Sequence, residues 1–372
     1  MHFDTIVLGG GTMGTAAAWE LGKRGERALV LEQFTHVNTL ASHSGYTRII
    51  RHAYAEGADY VPLVLRADEL WMELEQEVGA TVYHRVGGLE IMSPGFTRGY
   101  AARAVAEEHG LEFEWLDGAE VRHRWPAIQI PDDWQAGYGA RSGFLDVETA
   151  LHGMADQAKI LGVKFREEEP ARNWAVDGAG VRVNTDQGAY TADKLIVSAG
   201  AWAGRMLADL GLPLEVRRKV LFWLEVDDES RFQPAELPVY ITETRHGNIY
   251  GFPIWGRPGL KVAQHSGGIP SDPDHLDRSV HAGEADDVVA FGRELFPGVT
   301  GAVLERAVCM YTVTPDENFI VDRHPEHDNV AIAAGFSGHG FKFATSIGEH
   351  LVDLVQDPFM KPVPILAMSR FA

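Results

Sequence analysis

Gly9, Gly11 and Gly14 stand as GxGxxG between an apolar run, Thr5 to Leu8, and an alanine-rich stretch, Thr12 to Lys23. Each glycine meets a separate need of phosphate binding. The first permits a tight turn, the second lets the backbone approach a pyrophosphate, and the third lets helix and strand pack closely. A helix starting at this turn points its partial positive charge at the phosphates. Glu32 ends a second apolar run, Ala28 to Leu31. A carboxylate there can take both ribose hydroxyls and repels a 2′-phosphate, so NADP is disfavoured. The chemistry implied is dinucleotide binding, and the fingerprint alone does not separate FAD from NAD.

The elements that must position these residues follow from periodicity. The run Thr5 to Leu8, the helix Thr12 to Lys23 with its stop at Gly25, and the strand Ala28 to Leu31 make a complete βαβ unit. Residues 34 to 57 are rich in glycine, serine and histidine and read as a functional loop that begins a helix near Arg48. Val61 to Val78 is an amphipathic helix, with Leu63, Ala67, Leu70, Leu74 and Val78 on one stripe. Val86 to Met92 is strand-like, and Thr97 to His109 and Val147 to Leu161 are helical. Short strands are predicted at Val181 to Val183 and Leu195 to Val197, the second ending in the turn Ser198-Ala199-Gly200-Ala201. Val216 to Val226, Val239 to Thr244, Ile249 to Pro253 and Leu260 to Gln264, separated by turn residues, form an antiparallel meander. A last strand, Val330 to Ala333, meets the run GFSGHGFKF and a helix from Phe341 to Val355. The fold class expected is α/β, in an α+β arrangement with βαβ character at both ends and antiparallel strands between.

The chain of 372 residues suits two domains or one large interleaved unit. Its formal charge is 33 minus 53, or −20, which repels nucleic acid and anionic lipid. The one cysteine, Cys309, cannot form an internal disulfide. No basic and apolar leader precedes the first strand, and no apolar run approaches ~18 residues. The expected location is cytoplasmic, with no membrane partner. The 16 histidines show no metal-ligand spacing, so no metal is expected.

Several segments, in order along nearly the whole chain, resemble the monomeric sarcosine oxidase and N-methyltryptophan oxidase family of flavoproteins. They are GGGTMG at 9–14, SHSGYTRIIRHAYAEG at 42–57, YVPLVLRADELW at 60–71 and ADKLIVSAGAW at 192–202, then YGFPIWGRPGLKVAQH at 250–265, AVCMYTVTPDENFIVD at 307–322 and AAGFSGHGFKF at 333–343. The resemblance implies a Rossmann-like FAD-binding domain assembled from residues 1–84, 144–214 and 320–372. A substrate domain with a mainly antiparallel sheet is expected from residues 85–143 and 215–319. It also implies a monomer.

The same resemblance assigns roles by position. Cys309 matches the cysteine that attaches FAD covalently through the flavin 8α-methyl. A thiolate is required, which a nearby cation favours. Lys261 matches a lysine that activates oxygen, because a fixed cation in a dry site stabilises the charge of nascent superoxide. Arg51 and Lys342 match the pair that clamps the substrate carboxylate. His265 matches a pocket histidine that holds the substrate amine or eases its deprotonation, and Tyr250 and Tyr311 match pocket aromatics. Gly338 and Gly340 precede a helix whose N-terminus can face the flavin, and His339 would add a donor there. Thr12, Met13, Gln33, Ser42, His43, Arg48, Ile49 and Lys342 complete the cofactor contacts, with Arg48 near the flavin ring.

The loop departs from the family pattern Ser-His-His-Gly-Asp-Thr-Arg at two positions, Ser44 and Tyr46, both expected close to the cofactor. The runs VRRKVLFWLEVDD and HSGG lean toward the N-methyltryptophan branch, and CMYTVTPDENFIVD leans toward the sarcosine branch. The expected reaction converts sarcosine, O2 and water to glycine, formaldehyde and hydrogen peroxide by transfer of a hydride equivalent to FAD. N-methyl-L-tryptophan and a cyclic secondary amino acid such as pipecolate or proline are alternative substrates. An NAD-linked dehydrogenase and a flavoprotein without amine activity are the more distant alternatives.

Overall fold

The computed structural model describes residues 1–371. The dinucleotide fingerprint sits where the sequence puts it. The strand His2–Leu8 runs into the helix Thr12–Lys23, which ends at a Gly25 of φ +73° before the strand Ala28–Leu31. His2–Leu8 pairs in parallel with Ala28–Leu31 on one side and Gly188–Val197 on the other. The strand His327–Ala334 pairs in parallel beyond Gly188–Val197. Leu8 is level with Leu31 and Val197, and Val197 with Ile332, so the strands end together at one edge of the sheet. That edge carries the glycine turn, the 198–201 turn and the 335–340 turn. Ligands bind at such carboxyl-end crevices in parallel sheets.

Among the described residues this first sheet has eight strands, all from within 1–84, 144–214 and 320–372. A second sheet has nine, all from within 85–143 and 215–319. Its meander joins Val239–Thr244, Gly247–Phe252, Leu260–Gln264 and Glu215–Val226 by antiparallel pairing. One pair is parallel, Val239–Thr244 with Gly88–Met92.

Two differences from the sequence reading bear on the site. No helix begins near Arg48. Thr47–Ile50 is a strand that pairs antiparallel with Gly143–Asp146 in a small third sheet, completed by Tyr83–His84. The β-branched Thr47, Ile49 and Ile50 suit extended backbone, and pairing with a distant segment settles the choice. The strand Val299–Val313, which carries Cys309, lies in a stretch where no strand was predicted. It alternates exposure as far as Ala307 and is buried on both faces from Val308 onward, as it passes beneath the site.

The helix Thr12–Lys23 packs between the helices Ala344–Gln356 and Val147–Ile160 and is buried along almost all its length. Burial of Ala16, Ala17, Ala18, Trp19 and Leu21 there fixes the helix under the sheet. Each large apolar side chain so buried contributes ~1.5–3 kcal/mol. No helix among the described residues is long and apolar enough to cross a membrane.

Candidate active site

A cavity of about 420 Å³ opens at the carboxyl edge of the first sheet. Gly9, Gly11, Thr12 and Met13 line its floor, with Glu32 and Gln33 at one end. Ser42 and His43 line it from the loop, Arg48 from the strand Thr47–Ile50, and Gly338 and Gly340 from the last glycine turn.

The lining fits a dinucleotide. Gly9 has φ +95°, and a Cβ there would sit 2.5 Å from the Ser198 carbonyl oxygen. A Cβ on Gly14 would sit 1.8 Å from the Gly9 carbonyl oxygen, so this glycine lets helix and strand touch. A Cβ on Gly11 would meet nothing within 4 Å, because that backbone faces the cavity. The helix N-cap, Gly11, has no side-chain cap, and its first turn holds no acidic residue. Its N–H groups are therefore free for an anion. Glu32 is buried and anchored by Gly10 N–H at 2.8 Å and Phe34 N–H at 2.9 Å. Burial raises its carboxyl pKa, against the pull of those backbone donors. Two buried atoms of cavity-lining residues, His43 Nε2 and Thr312 Oγ1, have no partner within the chain. Burial first, and then Arg48, push His43 down to about 3, so it is neutral.

A second cavity, of about 60 Å³, lies beside the first. Arg48, Tyr311, Gly338 and Phe341 line both, so the two share a wall. Gly338, at φ +80°, permits this, since a Cβ there would come within 2.1 Å of the Tyr311 ring. The second cavity collects Arg51, Tyr250, His265, His339 and Lys342, together with Ile49 and Cys309. Ile49, Cys309 and Lys342, expected among the cofactor contacts, thus face this smaller space, while Gly14 lies behind the turn and lines neither cavity.

Arg51 and Lys342 come together from opposite ends of the chain. The Lys342 backbone is held by Trp71 Nε1, which donates to its carbonyl at 2.9 Å. Lys342 Nζ donates to the His339 carbonyl at 2.8 Å and to Tyr54 OH at 3.3 Å, leaving one of its three donors for the cavity. Burial, and then the Arg51 charge, bring Lys342 down to about 7. Arg51 is buried, which disfavours its charge, but the carboxylates Glu56 and Glu90 hold it protonated. Burial brings His265 down to about 3, so its ring is neutral among Tyr250 and Tyr311. The two tyrosine hydroxyls lie 3.4 Å apart.

His339 differs from the expected free donor. Its Nε2 lies 3.0 Å from the Glu317 carbonyl oxygen, which can only accept, so Nε2 carries the proton. Its Nδ1 accepts from Tyr54 OH at 2.6 Å. Both ring nitrogens are engaged, and burial brings the ring down to about 4. The residue links Tyr54 to the 335–340 turn.

Cys309 is buried on the wall of the second cavity. Burial raises its thiol pKa, while Arg48, Lys261, Lys219 and Arg278 all pull it down. Lys219 stands opposite Cys309 in the antiparallel register, so the two side chains share a face. Its Nζ donates to the carbonyls of His265 at 3.0 Å and Ser266 at 2.7 Å, fixing the turn that carries His265. Lys261 is buried behind the strand Thr47–Ile50 and lines neither cavity. It donates to Thr47 Oγ1 at 2.8 Å and to the carbonyls of Thr47, at 3.0 Å, and Gly45. Burial, and then Arg48, push its pKa well down.

The two departures in the loop face away from the cavities, and neither Ser44 nor Tyr46 lines one. Tyr46, at φ +67°, turns its ring edge-on to Trp223 and its hydroxyl to Glu305. Sequence reasoning missed Lys219, Glu56, Glu90, Arg98 and Tyr54. Glu56 and Tyr54 lie within the quoted HAYAEG run and had a local signal. The others depend on strand register and on packing between elements distant in sequence. Among the described residues no group of His, Cys, Asp and Glu could hold a metal ion.

The chain matches the family model described as FAD dependent oxidoreductase (DAO) over residues 4–354. It is 42% identical over 359 residues to a monomeric sarcosine oxidase from Bacillus sp. (strain B-0618), covering 95% of this chain and 92% of that protein. It is 35% identical over 379 residues to an N-methyl-L-tryptophan oxidase from Yersinia pestis (strain Pestoides F), covering the whole of both. A solved structure of L-proline dehydrogenase from P. horikoshii superposes with a TM-score of 0.87 at 23% identity, over 99% of this chain and 97% of that one, which shows the shared fold. With the glycine turn, Glu32 and the cavity above them in place, and a family match spanning residues 4–354, the chain belongs to the FAD-dependent oxidoreductase family.

Proposed function

We propose that the chain oxidises a small N-methyl amino acid, sarcosine, with oxygen as acceptor, yielding glycine, formaldehyde and hydrogen peroxide. The observation that carries this reading is the second cavity: about 60 Å³, walled by Arg51, Lys342 and a neutral His265, and sharing a wall with the dinucleotide cavity. The relatives named monomeric sarcosine oxidase and N-methyl-L-tryptophan oxidase support the reaction class. The first name also supports a monomer.

Bound FAD would supply the two-electron acceptor for the amine. The residues that would hold it are the 9–14 turn, Glu32, the 42–48 loop and the 335–340 turn, with Cys309 as the covalent attachment. Lys342 and Arg51 dock the substrate carboxylate and so direct the N-methyl group toward the shared wall. His265, neutral at physiological pH, offers a lone pair to the substrate ammonium and favours the free amine. Tyr250 and Tyr311 close the cavity against water. Lys261, given three acceptors by Gly45 and Thr47, would act near the site of oxygen reduction in its protonated form. The product imine leaves and is hydrolysed by water.

The small second cavity favours the smaller substrate, sarcosine, over N-methyl-L-tryptophan. In a panel read by peroxide release, kcat/KM for sarcosine is expected to exceed that for N-methyl-L-tryptophan, pipecolate and proline by about tenfold or more. A higher value for any of the others overturns sarcosine and leaves the reaction class standing. Amine-dependent reduction of NAD without peroxide would overturn the oxidase reading itself.

The carboxylate site has its own pH signature. Lys342 titrates at about 7 in the free pocket, and a bound carboxylate favours its charged form. Below that pH the cation is already present. Above it, binding must take up a proton, so acetate affinity is expected to fall by up to about tenfold per pH unit. Calorimetric titration of acetate between pH 6 and 9 tests this, and Lys342→Met should flatten the profile. A flat wild-type profile would remove Lys342 from the carboxylate site.

A further inference from the structure

Arg51, Glu56 and Arg98 meet on the wall of the second cavity, with Glu90 packed behind them. Arg51 Nη2 donates to both Glu56 oxygens, each at 2.6 Å, and Nη1 donates to the Ala53 carbonyl at 3.1 Å. Arg51 Nε lies 3.2 Å from Glu90 Oε1. As it stands, Arg51 has no two parallel N–H groups free for a planar carboxylate. Glu56 is held a second time, by Arg98 Nη2 at 2.5 Å. Arg98 Nε is 3.6 Å from Glu90 Oε2 and is a buried donor without a hydrogen-bond partner. Arg98 is itself placed by the first turn of the helix Arg98–His109, where the Thr97 and Arg98 N–H groups donate to Glu243 at 3.2 and 3.0 Å.

We propose that Arg98 is a positioning residue for substrate binding: when a carboxylate docks on Arg51, Glu56 releases Arg51 and stays on Arg98. The proposal rests on the docking at Arg51 given above. Its physical reason is that an exchange of partners leaves no charge stranded. Without a second cation, a ligand carboxylate could reach Arg51 only by leaving Glu56 buried and unpaired, and a buried charge without a partner is strongly unfavourable. Arg98 already touches Glu56 and has a spare donor, so the exchange needs no long movement. Glu90 remains against both guanidinium groups and keeps them from repelling each other.

The test is acetate binding to the FAD-loaded protein by calorimetry, at one pH, across four variants. Arg98→Met is expected to raise the acetate Kd about tenfold or more, and Arg98→Lys to recover part of the loss. Arg98→Met combined with Glu56→Gln should return the Kd to near the wild-type value, because residue 56 then carries no charge to strand and Glu90 keeps its contact with Arg51. With sarcosine, KM should rise by a larger factor than kcat falls. Arg51→Met should lose acetate binding. If Arg98→Met binds acetate as the wild type does while Arg51→Met does not, the role of Arg98 is overturned and docking at Arg51 stands. If Arg51→Met also binds normally, the docking site itself is wrong. A double variant as weak as Arg98→Met would show that Arg98 acts through packing and would likewise overturn the exchange. Should Arg98→Met fail to fold, Arg98→Lys and the double variant decide the question.

Discussion

A Cys309→Ser protein is expected to bind FAD and yet release all of it on acid precipitation, where the wild-type polypeptide keeps its yellow colour in denaturant. The expectation is all-or-none because Cys309 is the only cysteine among 372 residues. Its surroundings suit the bond. The thiol is fully buried, which raises its pKa, but Arg48, Lys261, Lys219 and Arg278 all act to lower it. Burial outweighs these charges and leaves the thiol pKa raised, with Arg48, Lys261, Lys219 and Arg278 reducing the cost of the thiolate that attachment requires. The substitution should not disturb the fold. Serine is close to cysteine in size, and burying its hydroxyl costs ~1–3 kcal/mol against a typical stability of ~5–15 kcal/mol.

The noncovalent hold should survive in that variant. The 9–14 turn, the free helix N-terminus and the anchored Glu32 would hold the far end of the dinucleotide and do not involve residue 309. A wild-type protein whose colour already washes away would make Cys309 a small buried residue and nothing more. A mass increase of FAD on the Cys309 peptide of the wild type, absent from the variant, would place the bond.

The contrast between these two parts of the site explains how much the sequence discloses. The glycine turn and Glu32 are legible because every requirement is local: a tight turn, a helix start and a carboxylate ending the next strand. The meander from Glu215 to Gln264 is legible for a similar reason, since alternation and turn residues mark each strand. Arg48 is not. Its neighbours Thr47, Ile49 and Ile50 are extended because they pair with Gly143–Asp146, far along the chain, and a loop composition of glycine, serine and histidine hides that partner. Lys219 faces Cys309 only through the register of two long strands. Glu56, Glu90 and Arg98 come from a loop, a strand and a helix, and composition reads such residues as surface. Lys261 shows the limit of alternation: Leu260, Lys261, Val262 and Ala263 are all buried, because both faces of that strand are covered. The residues proposed to do chemistry follow from the resemblance, since their types carry meaning only once the fold has gathered them.

Lys261→Met is expected to slow reoxidation of the reduced protein by oxygen by on the order of 10²–10³, the usual loss on removing a preorganised charge-stabilising group. Reduction by sarcosine should change far less. The asymmetry follows from placement. Lys261 lines neither the dinucleotide cavity nor the substrate cavity, so it takes no part in docking the amine. It sits behind Thr47 and Arg48, close enough to Arg48 and Cys309 to feel both charges. The first electron taken by oxygen makes an anion, and a nearby ammonium in a dry site stabilises it strongly. Two opposing influences set the state of that amine. Burial and then Arg48 push its pKa well down. The Gly45 and Thr47 carbonyls and Thr47 Oγ1 supply three acceptors, which suit the three donors of an ammonium. Because the charged form is lost as pH rises through a lowered pKa, wild-type reoxidation should slow with increasing pH, and the Met variant should show no such slope. Stopped-flow mixing of the anaerobically reduced protein with oxygenated buffer measures both. An unchanged rate in Lys261→Met would move oxygen activation to another cation, and Arg48, on the wall shared by the two cavities, would be the next to replace.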